Sequence, residues 1–164
     1  MSGESEVDVQ IKELGHLVLY VRDLGRSVRF YRDVLGWRPI LGGDDNDPLP
    51  FRAAAFNAPS NRTHHELLLI EVGQDAAALP QGRRVGLYHF GLKIGDSDDE
   101  LREALATLQD NDVTILGASD HTVTHSLYIA DPDGNEIELF IDVPGVDWRN
   151  DPALIAAPIR PLVL

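Results

Sequence analysis

Two octapeptides in this chain are built alike. Leu14-Gly-His-Leu-Val-Leu-Tyr-Val21 and Leu87-Tyr-His-Phe-Gly-Leu-Lys-Ile94 are both β-rich, and each carries a histidine at its third position. Each runs on through an Asp, at 23 or 96, into a helix-patterned stretch. Self-similarity of this kind constrains the fold more than any local signal, because it implies one supersecondary unit used twice around a shared core. The chain has 164 residues, enough for one domain made of two such halves.

The halves agree beyond the first strand. Asp23 is placed to cap a helix whose Leu24, Val28, Tyr31 and Leu35 share one face, and Gly36 can end it. Ser97 and Glu100 form a candidate capping box before Leu101, Ala104, Leu105 and Leu108, with Asn111 as the C-cap. Three strands are expected after each helix, at 38–41, 52–56 and 64–72, then at 114–117, 126–130 and 136–143. Each half therefore reads βαβββ. The expected organisation is an N-terminal arm (1–13), a first module (14–73), a linker (74–86), a second module (87–143) and a tail (144–164), all in one structural domain. Residues 42–50 read as an acidic loop. Asp131-Pro-Asp-Gly-Asn135 reads as a hairpin turn made by its two aspartates, with Gly134 free to take positive φ. The tail is apolar and is expected to cover part of the fold.

Composition removes whole classes of function. There is no Cys, hence no disulfide framework, thiolate metal site or thiol nucleophile. A formal charge of −13 repels phosphate backbones and anionic lipid, so neither nucleic acid nor membrane is an expected partner. The first residues lack the basic and apolar regions of a signal peptide, which gives the expectation of a cytoplasmic protein. Walker loops, Gly-rich dinucleotide fingerprints and nucleophile elbows are absent from the sequence. Asp44, Asp45 and Asp47 lack the spacing of a calcium-binding EF-hand loop.

Strand alternation sorts the six histidines. Leu17, Leu19 and Val21 face the helix, leaving His16, Val18 and Tyr20 on the other side. Phe90, Leu92 and Ile94 face the second helix, leaving His89, Gly91 and Lys93 opposite. Ile137, Leu139 and Ile141 are core-facing, leaving Glu136, Glu138, Phe140 and Asp142 opposite. His16, His89 and Glu138 thus share the face turned away from both helices. Two imidazoles and one carboxylate can hold a divalent metal on one side and leave its other positions open. Two hydrogen-bonded strand histidines and a surface glutamate would give the same pattern, but their matched placement in both halves favours the metal. By alternation His64 goes to the helix side as a structural residue. His125 is either a pocket residue or a strand cap.

Leu14–Gly36 and Tyr88–Val143 resemble the vicinal oxygen chelate superfamily, which includes glyoxalase I, bleomycin-resistance proteins and type I extradiol dioxygenases. The resemblance covers roughly residues 14–143. It implies an α+β fold, two paired βαβββ modules forming a curved sheet cup around a metal, with His16, His89 and Glu138 as ligands. Finer motifs resemble the small extradiol catechol 2,3-dioxygenases. Asn61-Arg-Thr-His-His-Glu-Leu-Leu-Leu69 is similar to the segment carrying their acid–base histidine, here His65. His121-Thr-Val-Thr-His-Ser-Leu-Tyr128 resembles the segment with a substrate-contacting His and Tyr, although it is shorter than in larger dioxygenases. The implied reaction is ring opening of an aromatic diol by O2 on Fe(II), with Mn(II), Zn(II) or Ni(II) as alternative metals and a homodimer as the expected assembly. Val18, Leu67 and Phe140 are candidate ring contacts.

A glyoxalase-like lyase or isomerase is the main alternative. Its metal takes a fourth ligand from the first half, at the position matching Glu138. Counting from the histidines puts that position at His65, and aligning strand ends puts it at Leu67; Glu66 points to the other face. A bleomycin-resistance-like binding protein, holding a basic small molecule in an acidic cup, is the second alternative.

Overall fold

A computed structural model of the chain describes residues 9–43 and 49–164. The first part of the arm and most of the acidic loop, including Asp44, Asp45 and Asp47, lie outside the described residues.

The first half contains β1 (Leu17–Val21), α1 (Leu24–Arg29), β2 (Arg38–Gly42), β3 (Ala53–Asn57) and β4 (Leu67–Glu71). Asp23 caps α1 by accepting the Arg26 N–H at 2.8 Å. The helix widens into a π-helical turn over Phe30–Val34 and stops at Gly36, whose φ is +73°. That conformation suits glycine, which has no Cβ to clash. The strands form a sheet in the order β1-β4-β3-β2, with β1 and β4 parallel and the other pairs antiparallel.

The second half repeats the plan with β5 (His89–Gly95), α2 (Asp98–Asp110), β6 (Ile115–Asp120), β7 (Thr124–Ala130) and β8 (Glu136–Asp142). Ser97 and Asn111 cap α2 as expected, and Glu100 returns its carboxylate to the Asp96 N–H and the Ser97 hydroxyl. The order is β5-β8-β7-β6, extended at its edge by a short β9 (Arg160–Pro161) from the tail. The architecture is α+β, two mixed sheets built on one plan.

The helix-side faces make the core. Leu19 and Val21 from β1, Leu67 and Leu69 from β4, and Ile137, Leu139 and Ile141 from β8 are buried there with Leu24, Val28 and Leu101. Each such side chain contributes about 1.5–3 kcal/mol when fully buried. The opposite face of the first sheet is open: Val18 is 44% exposed and Tyr20 70%.

The two halves are joined through the Asp131–Asn135 turn. The Asp131 carboxylate accepts the Tyr31 hydroxyl at 2.9 Å, the N–H groups of Asp133 and Asn135, and the Asn135 side-chain amide. Asp133 accepts the Arg22 N–H at 3.1 Å and pairs with its guanidinium at 3.7 Å. Burial, then the Asp131 charge, pushes the Tyr31 phenol well above its ordinary pKa. The tail makes a 3-10 turn at Pro152–Ala156, pairs β9 with β6, and sets Leu162 and Leu164 against the core. Among the described residues no helix is long and apolar enough to cross a membrane.

Candidate functional site

Parallel pairing of β5 with β8 sets His89 beside Glu136 and Gly91 beside Glu138. The His89 Nε2 lies 3.3 Å from Glu138 Oε2, and its Nδ1 lies 3.5 Å from Glu136 Oε1. That Nδ1 is buried and makes no hydrogen bond. Gly91 keeps the space open: a Cβ there would stand 3.2 Å from the Phe140 ring and 3.6 Å from Glu138.

The other Glu138 oxygen is held from β7. Oε1 accepts the Ser126 hydroxyl at 2.7 Å and the Tyr128 hydroxyl at 3.3 Å. Tyr128 in turn lies 2.7 Å from His121 Nε2. When Tyr128 donates to Glu138, His121 presents Nε2–H, so the geometry selects a tautomer. Burial first, then the Glu138 charge, pushes the Tyr128 phenol far above its ordinary range, so it stays protonated at neutral pH. His121, Tyr128, Glu138 and His89 therefore form one connected string on the face away from α2.

The first half gathers three imidazoles. The His16 and His65 rings are 4.5 Å apart, as are those of His64 and His65, whose Nδ1 atoms are 2.6 Å apart. Burial first, then the charges of His16 and His64, lowers the His65 pKa. His65 is therefore an unprotonated acceptor at neutral pH.

His16 and His89 both line an open cleft of about 1080 Å³ between the halves. Even so, among the described residues no three His, Asp or Glu side chains converge closely enough to hold a metal ion. The donor types suit a divalent metal, but one chain assembles only His89 and Glu138 of the expected set.

Several expectations need correction. His64 does not turn to the helix side, because β4 begins only at Leu67 and residues 63–66 are irregular, with a bend at 63–64, so strand alternation does not hold there. Its ring is 6.0 Å from that of His16. The first-half position matching Glu138 is neither His65 nor Leu67. Leu17 pairs with Leu67 and Val18 with Leu68, so with His16 matched to His89, Leu68 takes the Glu138 position. Leu67 is buried in the core at 1% exposure, although its edge borders the cleft. Glu66 is occupied by the Ala58 N–H and Arg62. His125 binds Asp98 at 2.6 Å and ties β7 to the start of α2. Ser126 was not picked out by the motifs; its place two residues before Tyr128, on the same strand face, was the available signal.

A sequence model of the glyoxalase/bleomycin resistance protein/dioxygenase superfamily matches residues 13–139. The chain belongs to that superfamily. Among superfamily relatives, a catechol-2,3-dioxygenase of Bacillus subtilis is 37% identical over 84% of this chain and 44% of its own length. An iron-dependent extradiol dioxygenase of Rhodococcus jostii is 34% identical over 76% of this chain and 41% of its own. This chain thus spans less than half the length of those two relatives. A metallothiol transferase FosB of Staphylococcus epidermidis is 25% identical over 79% of this chain and 83% of its own. A solved superfamily structure, a glyoxalase/dioxygenase from Nostoc punctiforme, is 21% identical with a TM-score of 0.64, over 87% of this chain and 99% of that one. That likeness shows the fold.

Proposed function

We propose that this chain is an Fe(II)-dependent extradiol dioxygenase that opens a catechol-type ring with O2 and works as a homodimer. His89 and Glu138 would hold the metal, and His16 of a second copy would complete the set. The carrying observation is the string His121–Tyr128–Glu138–His89, in which a neutral phenol stands beside the ligand pair. Leu68 at the first-half position matching Glu138 offers no fourth ligand, which favours three protein ligands over the glyoxalase arrangement. The names of the Bacillus subtilis and Rhodococcus jostii relatives point the same way.

Bound there, Fe(II) would supply Lewis acidity toward the diol oxygens and a common place for diol and O2. The chain's own groups handle protons and orientation. With substrate bound, Tyr128 would turn its single hydroxyl proton from Glu138 to a diol oxygen, while the His121 Nε2–H, donating to the phenol oxygen, fixes the direction of that donor. His65, carried with His16, takes the diol proton because its lowered pKa leaves it unprotonated at neutral pH. Phe140 and Val18 contact the ring. Mn(II), Zn(II) or Ni(II) would fit the same donors, but Zn(II), which has no redox chemistry, would not support the step with O2.

Anaerobic loading with Fe(II), followed by catechol and air, tests the reading. A yellow ring-opened product with matching O2 uptake is expected. Full metal content with no O2 uptake would overturn it in favour of a lyase, isomerase or transferase. No metal binding at all would favour a binding protein.

A further inference from the structure

We propose that Arg160, on the tail strand β9, is a positioning residue for the His121–Tyr128 pair. The inference rests on the proposed role of that pair at the substrate.

His121 sits at the tip of the β6–β7 hairpin. The next residue, Thr122, has φ +71°. A β-branched side chain seldom takes that conformation, so surrounding contacts must hold it. Within the hairpin, Asp120 Oδ1 accepts the Thr122 N–H at 2.7 Å, and His121 donates its N–H to the Thr124 carbonyl at 2.9 Å. Val143, just past β8, donates its N–H to the Val123 carbonyl at 3.0 Å.

Arg160 adds the tie on the remaining side. Its Nη2 lies 3.3 Å from Asp120 Oδ2 and donates to Thr122 Oγ1 at 3.3 Å. One guanidinium therefore grips the residues on both sides of His121. The strand that carries it is fixed independently. Asp120 pairs with Arg160 and Ser119 with Pro161 along β6, and Leu162 and Leu164 pack against the core. His125 backs the same Asp120 carboxylate at 3.7 Å. The tail thus reaches from the core to the hairpin tip, where the ring held 2.7 Å from Tyr128 begins.

An exposed arginine–carboxylate pair contributes little to global stability. The role therefore predicts a local effect. Long-range proton–nitrogen NMR of the histidine rings in the metal-free protein reads it directly, with His121→Gln assigning the signal. In Arg160→Ala the His121 signals should move toward those of free imidazole, while Tm shifts by less than about 2 °C. Arg160→Lys, which keeps the charge but not the fork, should restore them in part. With Fe(II) and catechol, turnover of Arg160→Ala should fall about 3- to 10-fold, the size of one lost ordinary hydrogen bond. An unchanged His121 signal in Arg160→Ala overturns the proposal. So does a large fall in Tm with an unaltered signal in the folded state, which would mark Arg160 as structural only. If the signal moves but wild-type protein consumes no O2 with catechol, the positioning stands and the dioxygenase reading fails.

Discussion

Glu138 shares its carboxylate among three neighbours: Ser126 and Tyr128 on one oxygen, His89 beside the other. Charge-assisted hydrogen bonds of this kind fix a carboxylate's orientation. In the proposed reaction His65 has a different job, because burial first, and then the two neighbouring imidazoles, favour its neutral form. His65→Ala should therefore retain iron while turnover falls by ~10²–10⁴, the usual range for a positioned proton carrier. Metal content and single-turnover rate measured on one preparation check this. Iron loss with an intact intrinsic rate would make His65 a ligand instead. At this scale the sequence was legible wherever a strand was regular. Alternation placed His89 and Glu138 on one face, and β5 and β8 keep them there. It failed at His64, since a bend before β4 has no period of two. It missed Ser126, whose importance lies in a cross-strand neighbour rather than in a motif.

At the scale of elements, the Asp131–Asn135 turn does more than reverse the chain. Asp131 spends both oxygens on its own turn and still accepts the buried Tyr31 hydroxyl at the end of α1. Tyr31→Phe should cost about 1.5 kcal/mol at pH 7, the low end for a hydrogen bond to a charged acceptor, because Asp131 keeps its other donors. The pH dependence has a definite sign. The folded pKa of Tyr31 lies above its unfolded value of 10.0, so its contribution is full below pH 10 and is lost as pH rises beyond that. Urea melts at pH 8 and pH 11 should show wild type losing more stability than Tyr31→Phe. Equal losses would contradict the assignment. The sequence announced this turn through Pro132 and Gly134, and it announced the capped ends of both helices. The bond to Tyr31 was not legible, because local turn chemistry does not say which distant helix meets the turn. The π-helical end of α1 also left no trace in the spacing of Leu24, Val28, Tyr31 and Leu35.

The whole molecule separates what the resemblance joined. His16 goes with His64 and His65, while His89 goes with Glu138, and the joint between halves is clamped by Arg22–Asp133 and Tyr31–Asp131. A two-fold pair of chains, each offering its first sheet to the other's second, would make two identical complete sites. It would also cover Val18 and Tyr20. Mixing His16→Ala with Glu138→Gln tests this, since on the proposed ligand set each should be inactive alone. Random pairing gives heterodimers with one intact site of two, so activity should return to about a quarter of wild type. A mixture no better than its parents would place all three ligands within one chain. The repeat and the two sheets were legible because periodicity is a property of the string. Which half meets which is not, since pairing within a chain and pairing between chains bury the same faces.

The hydrogen bond from Tyr31 to Asp131 spans 100 residues, and this has a consequence for synthesis. At ~5–20 residues per second, the ribosome finishes β4 several seconds before the turn that clamps α1 exists. Through that interval the nascent first half has neither its clamp nor the second-half side chains, Leu101, Ile137 and Leu139 among them, that share its core. Chaperone dependence should therefore be greatest during elongation through the second half, and slower translation there should lengthen the exposure.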